Sequence, residues 1–181
     1  ISTIAGDTDG TVTVSNNINV QGTSAEITTA VGDVDTFSNT PTAELSNAHT
    51  LAELKAINNA IDGTITLGDY TVALSGSSED VAAALSGSFA AAYTGDVTLT
   101  TDHNLAQLKT INDTTTGTIT LNNYSVALSG STADVKAALA GTFAATYTGN
   151  VTLSDDNGEN INATDISTIA GDTDGTVTVS N

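Results

Sequence analysis

Two acidic clusters and two histidines are the residues of this sequence whose types and spacing suggest chemistry. Asp7 and Asp9 sit around a glycine turn in GDTDG, a stretch that recurs at residues 171–175. Asp155, Asp156, Asn157 and Glu159 crowd into SDDNGEN. Hard oxygen donors at such close spacing suit calcium, the one cofactor these residue types admit. Neither cluster completes an EF-hand, because the twelfth position counted from Asp7 is Ile18, where a bidentate Glu belongs. The glycine-rich nonapeptide of calcium-binding β-helices is missing as well, and Asp, Asn and Gly are also ordinary turn formers.

His49 and His103 are the only histidines; they occupy equivalent places 54 residues apart, in NAHTLAEL and TDHNLAQL. Beside a helix start they read as surface or capping residues. One histidine per unit supplies no zinc ligand set and no partner that would activate the abundant serines and threonines. The phosphate-binding, dinucleotide-binding and nucleophile-elbow motifs are absent too, so no enzymatic activity is expected.

The elements that must position these residues are repetitive. Residues 1–16 and 166–181 are identical, which sets a period of 165 residues. Inside it, the stretch from Leu51 (LAELKAINNAIDGTITLGDYTVALSG) returns from Leu105 (LAQLKTINDTTTGTITLNNYSVALSG), an ungapped offset of 54. The chain therefore divides into a divergent unit at 1–50, a unit at 51–104, a unit with an acidic insertion at 105–165, and the start of the next period at 166–181. Each unit reads as two coils. A step of 27 from Ile18 meets Leu45, Val72, Leu99, Val126 and Leu153, and a second column runs Ile27, Leu54, Val81, Leu108 and Val135 before the insertion displaces its next member to about Ile166.

Within a coil, Leu51, Leu54 and Ile57 fall on one helical face, and Thr50, Asn104, Ser78 and Thr132 stand where caps belong. GTITL and then YTVALSG alternate at strand period. The predicted fold is an α/β repeat: a solenoid of about 27-residue helix-strand-strand coils stacked through parallel ladders. At about 4.8 Å per strand, six coils would advance roughly 29 Å. The alternative is a string of beaded αββ domains, with Gly68-Asp69 and Asn122-Asn123 closing hairpins. Under the solenoid the insertion DDNGENIN bulges outward; under the beads it is a linker. Outward threonines (Thr11, Thr13, Thr64, Thr66, Thr118 and Thr120) would form rows along one face, as β-propensity and exposure explain.

Twenty-one acidic residues against three lysines and no arginine give a net charge of −18. That charge repels nucleic acid and anionic lipid, and no apolar run approaches the roughly 20 residues of a membrane span. The lack of cysteine leaves the redox compartment open, and with no initiator methionine or signal sequence the chain reads as a segment of something longer. Only 4% of residues are aromatic, so the core must be built from Ile, Leu, Val and Ala.

LAELKAINNA, GTITL, YTVALSG, DVAAALSG and AAYTGDVTL resemble the repeat regions of very large bacterial cell-surface proteins, particularly those of marine cyanobacteria. The resemblance covers nearly the whole chain and is one of repeat style. It implies an extracellular, acidic, modular structural protein that extends by repeat stacking, with copies of itself as partners. The competing expectations are a calcium-stabilised adhesin stalk and a phage fibre segment.

Overall fold

The computed structural model describes Ile1, Thr3 and residues 7–180; Ser2, residues 4–6 and Asn181, which belong to the identical end segments, lie outside the described residues. Each helix begins where the sequence offers an oxygen to its open N–H groups. Helices α1 (Ser24–Gly32), α2 (Leu51–Ala60) and α4 (Leu105–Thr114) start with reciprocal capping boxes, Thr23 with Glu26, Thr50 with Glu53 and Asn104 with Gln107. Helices α3 (Ser78–Leu85) and α5 (Thr132–Leu139) are capped by Ser77 and Ser131. Ser78 and Thr132, predicted as caps, are instead the first helical residues, and both are buried. Helix α6 (Ala163–Asp172) is capped by Asn162.

Four residues beyond each cap stand Ile27, Leu54, Val81, Leu108, Val135 and Ile166. The first five are buried and Ile166 packs against the core from a half-buried position. The second predicted apolar column is therefore the inward stripe of the helices. Each helix packs against the next in chain order.

The fold is α/β with parallel sheets. Among the described residues every named strand pair is parallel. Strands β1 (Thr13–Val14) and β3 (Thr36–Phe37) form one pair; β2 (Asn19–Gly22), β4 (Thr42–Leu45) and β5 (Ile65–Thr66) form a second sheet, which a bridge from Ile65 to Phe89 extends. Strands β6 (Leu74–Gly76), β7 (Val97–Leu99), β8 (Thr118–Thr120) and β10 (Thr142–Phe143) form a third, in that order. The fourth contains β9 (Leu128–Gly130), β11 (Val151–Leu153) and β12 (Val177–Val179).

The hairpin alternative fails at the connectors. Gly68-Asp69 lies between β5 and β6, and Asn122-Asn123 between β8 and β9; in each case the flanking strands belong to different sheets. What the connectors hold is a tyrosine: the Tyr70 hydroxyl accepts from the Leu67 N–H at 3.1 Å, and Tyr124 repeats this with Leu121 at 3.1 Å. The turned tyrosine shortens the predicted YTVALSG strand to its last three residues, β6 and β9.

Two periods coexist. Helix starts advance by 27 residues from Ser24 to Thr132, as the sequence predicts. Ladder partners advance by less: Leu74, Val97, Ile119 and Phe143 are aligned at steps of 23, 22 and 24. Val20, Ala43, Ile65 and Phe89 repeat those steps. The reason is dimensional. Neighbouring helices need about 8–10 Å and neighbouring strands about 4.8 Å, so each helix must be matched by two ladder steps. Four strands and two helices thus form one 54-residue unit, and the first apolar column splits accordingly. Leu45, Leu99 and Leu153 are buried in β4, β7 and β11, whereas Ile18, Val72 and Val126 are half-buried just ahead of β2, β6 and β9.

One apolar cluster runs from Val20 to Ile169, with Tyr93 and Tyr147 as its largest buried members. Close strand approach requires glycine at Gly95 and Gly149, where a Cβ would stand 2.0 Å from the carbonyl oxygens of Val72 and Val126. The threonines predicted to share one face are distributed: Thr13 lies in β1, Thr66 in β5, and Thr118 and Thr120 in β8, which belong to three sheets.

Candidate functional site

The polar groups that the fold gathers in its interior form two copies of one arrangement. His49 follows β4 and precedes the Thr50 cap of α2; Tyr93 lies beyond α3, in the segment leading to β7. His49 Nε2 is 3.3 Å from the Tyr93 hydroxyl, which donates to the carbonyl of Val72 at 2.5 Å. In the next unit His103 Nε2 is 3.2 Å from Tyr147, which donates to Val126 at 2.5 Å. Since each tyrosine proton is directed at a carbonyl, the tyrosine oxygen accepts from the histidine. Nε2 therefore carries the proton, and Nδ1 is a bare acceptor. Nδ1 of both histidines is buried without a partner. Phe89 and Phe143 pack on the tyrosines, with ring centroids 6.3 and 6.2 Å away.

Burial pushes both imidazoles below the ordinary histidine pKa, more strongly than Asp69 and Glu53 near His49, or Asp102 near His103, pull them up. It pushes both phenols up. All four side chains are neutral at pH 7. The histidines are 4% exposed, so the arrangement offers no open face to a substrate. The reading of His49 and His103 as surface or capping residues is corrected: the caps are their neighbours Thr50 and Asn104, and the rings turn inward. A sequence signal for the pairing exists, because His49–Tyr93 and His103–Tyr147 share a spacing of 44.

The candidate calcium residues are placed on the surface. Asp7 and Asp9 are exposed, as are Asp156, Asn157 and Glu159. Residues 156–159 form a turn in which the Glu159 N–H donates to the Asp156 carbonyl at 3.0 Å and Gly158 supplies φ 92°. Asp155 is engaged elsewhere, its carboxylate accepting from the Thr132 N–H at 3.0 Å and the Thr132 hydroxyl at 2.5 Å. Those two bonds, the hydroxyl first, hold its pKa below the usual carboxylate value. The Asn47 side chain serves Ser24 in the same way, and Thr101 serves Ser78. Asp155 is thus one of three lateral ties from a strand end to the preceding helix start. Among the described residues no group of three or more His, Cys, Asp or Glu side chains is gathered as a metal site.

The insertion lies between β11 and α6. Val97 pairs with Ile119 at a step of 22 and Val151 with Val177 at 26, so four additional residues are accommodated in one strand-helix-strand connection without breaking its ladder. All three lysines are paired: Lys55 with Asp80 across α2 and α3, Lys109 with Asp113 along α4, and Lys136 with Asp165 across α5 and α6. No helix among the described residues is long and apolar enough to cross a membrane. Compared with known proteins, the chain matches no family model, no curated protein and no solved structure.

Proposed function

We propose that this chain is a structural repeat segment, a solenoid whose work is to extend an extracellular filament or a giant surface protein by adding units. The observation that carries this reading is the exact recurrence of the 23, 22 and 24 ladder steps in successive units around one uninterrupted apolar cluster. Each unit covers the apolar end of its neighbour, so length grows with repeat number and stability grows with the number of interfaces. The chemistry-bearing groups support the same reading. The histidines and tyrosines join one coil to another, Asp155 ties a strand to a helix, and none of them faces a substrate-sized opening.

The resemblance to repeat regions of giant bacterial surface proteins favours a place at the cell surface. At the ionic strength of seawater the Debye length is only a few Å, which relieves the self-repulsion of a strongly acidic polymer. With two ladder steps per helix, one 165-residue period would advance roughly 50–60 Å, about twice what a simple count of coils gives.

Electron microscopy of the native material, with and without a calcium chelator, tests the proposal. Filaments of uniform width with an axial repeat near that length, unchanged by chelation, are expected. Dispersed particles would overturn it, and fibres that loosen only on chelation would favour the calcium-stabilised stalk.

A further inference from the structure

The sheet β9–β11–β12 stops one strand short of its counterpart. β9 and β11 repeat β6 and β7 at the 54-residue offset, and β12 repeats β8, with Thr173 donating to the Gly149 carbonyl at 2.9 Å as Thr115 donates to Gly95 at 2.8 Å. On its far side β8 carries β10, through Thr142 with Thr118 and Phe143 with Ile119. The far side of β12 carries no strand among the described residues, and Val179 there is 44% exposed.

The missing neighbour is visible at the other end of the chain. β1 lies within residues 1–16, which are identical to 166–181, so Val12, Thr13 and Val14 are the same residues of the period as Val177, Thr178 and Val179. β1 carries β3 on one side, through Thr13 with Thr36 and Val14 with Phe37. The register matches that of the complete units. Thr36 N–H donates to the Val12 carbonyl at 3.4 Å, where Ala144 donates to Ile119 at 2.9 Å and Ala90 to Ile65 at 3.0 Å. The Asp35 carboxylate adds a bond from the Val12 N–H at 2.8 Å. One strand is thus seen from both sides, as β12 against β11 and as β1 against β3.

We infer that the sixteen shared residues are a junction, and that the strand completing β9–β11–β12 is residues 35–38 of the next copy of this chain, with its Thr36 opposite Thr178 and its Phe37 covering Val179. The inference rests on the stacking reading above and adds to it the register and the occupant. The next copy follows in tandem, its residues 1–16 being residues 166–181 of the first. Its helix α1 then stands next to α6 as α5 stands next to α4, and the three lateral sheets become three four-stranded ladders in every period.

The test uses a chain in which residues 1–165 are followed directly by residues 1–181, with Thr152 of the first copy and Thr36 of the second each replaced by cysteine; the natural sequence has no cysteine to interfere. Both positions are accessible to spin labels, and the inference places them two strands apart, at about 10 Å between Cα atoms. Continuous-wave electron paramagnetic resonance should show strong dipolar broadening. A spectrum equal to the sum of the two singly labelled chains, from protein with native circular dichroism, would overturn the inference. Micrographs of the same sample separate the two claims: a single rod of doubled length without broadening removes the register alone, whereas two particles on a slack tether remove the stacking reading as well.

Discussion

His103 Nε2 donates to the hydroxyl of Tyr147 across 3.2 Å of dry interior, joining the start of one helix to a segment 44 residues later. The same bond, with the same spacing, joins His49 to Tyr93. Such a bond contributes little as an isolated attraction, but its loss is costly because both partners are cut off from water.

Tyr147→Phe should therefore leave the His103 N–H and the Val126 carbonyl without partners and destabilise the fold by about 1–3 kcal/mol. Thermal unfolding checks this. A further His103→Phe change on that background should cost less than on the wild type, and simple additivity of the two would remove the coupling claimed for the pair.

The same histidines set a pH dependence. Their folded pKa values lie below the ordinary value, so between the two values the unfolded chain binds more protons and acid favours it. Their contribution is complete above about pH 6.5 and is lost as the pH falls from there. The lowered carboxylates, Glu26, Glu53 and Asp155 among them, add a separate loss only below their own ordinary range, near pH 4.5. Urea midpoints should fall between pH 7 and 5, and the doubly substituted His49→Gln, His103→Gln chain should be flat over that interval.

Glycines offer a contrast. Gly149→Ala places a methyl 2.0 Å from the Val126 carbonyl and should cost about 3 kcal/mol, whereas Gly171→Ala, inside α6 with open space around it, should gain up to about 1 kcal/mol. Equal effects at the two sites, read by chemical denaturation, would contradict the strand approach described.

Asp155→Asn should be tolerated, since Asn47 already performs the same task for Ser24. Asp155→Ala should lower the melting temperature, because nothing then accepts from the Thr132 N–H and hydroxyl. Adding calcium to either variant should leave that difference unchanged; a calcium-dependent recovery would place the ion at this corner.

Much of this architecture was legible in the letters. Helix starts were readable because a cap oxygen and an apolar residue four positions on are both local requirements, as at Thr50 and Leu54. Strand partners were not, because a single 27-residue column merges Leu45, buried within β4, with Val72, half-buried ahead of β6. The difference lies in the unequal widths of helices and strands, which no one-dimensional spacing records. The inward turn of His49 escaped for a related reason: its partner Tyr93 belongs to the next helix's connection, and only comparison of two His–Tyr spacings would have exposed it. Asp155 reads as a ligand by composition, but the unsatisfied N–H of Thr132 takes it first.

The three lysines have one more consequence. A protease that cuts after basic residues finds three bonds in the whole sequence, and each lies inside a helix, α2, α4 or α5, with its ammonium group held by an aspartate. A polymer of such periods would present long stretches of surface with nothing for trypsin-like enzymes to grip until the helices themselves come apart. Durability in a digestive environment then follows from where the few positive charges were placed, and the rate of nicking becomes a direct clock for how often the repeats open.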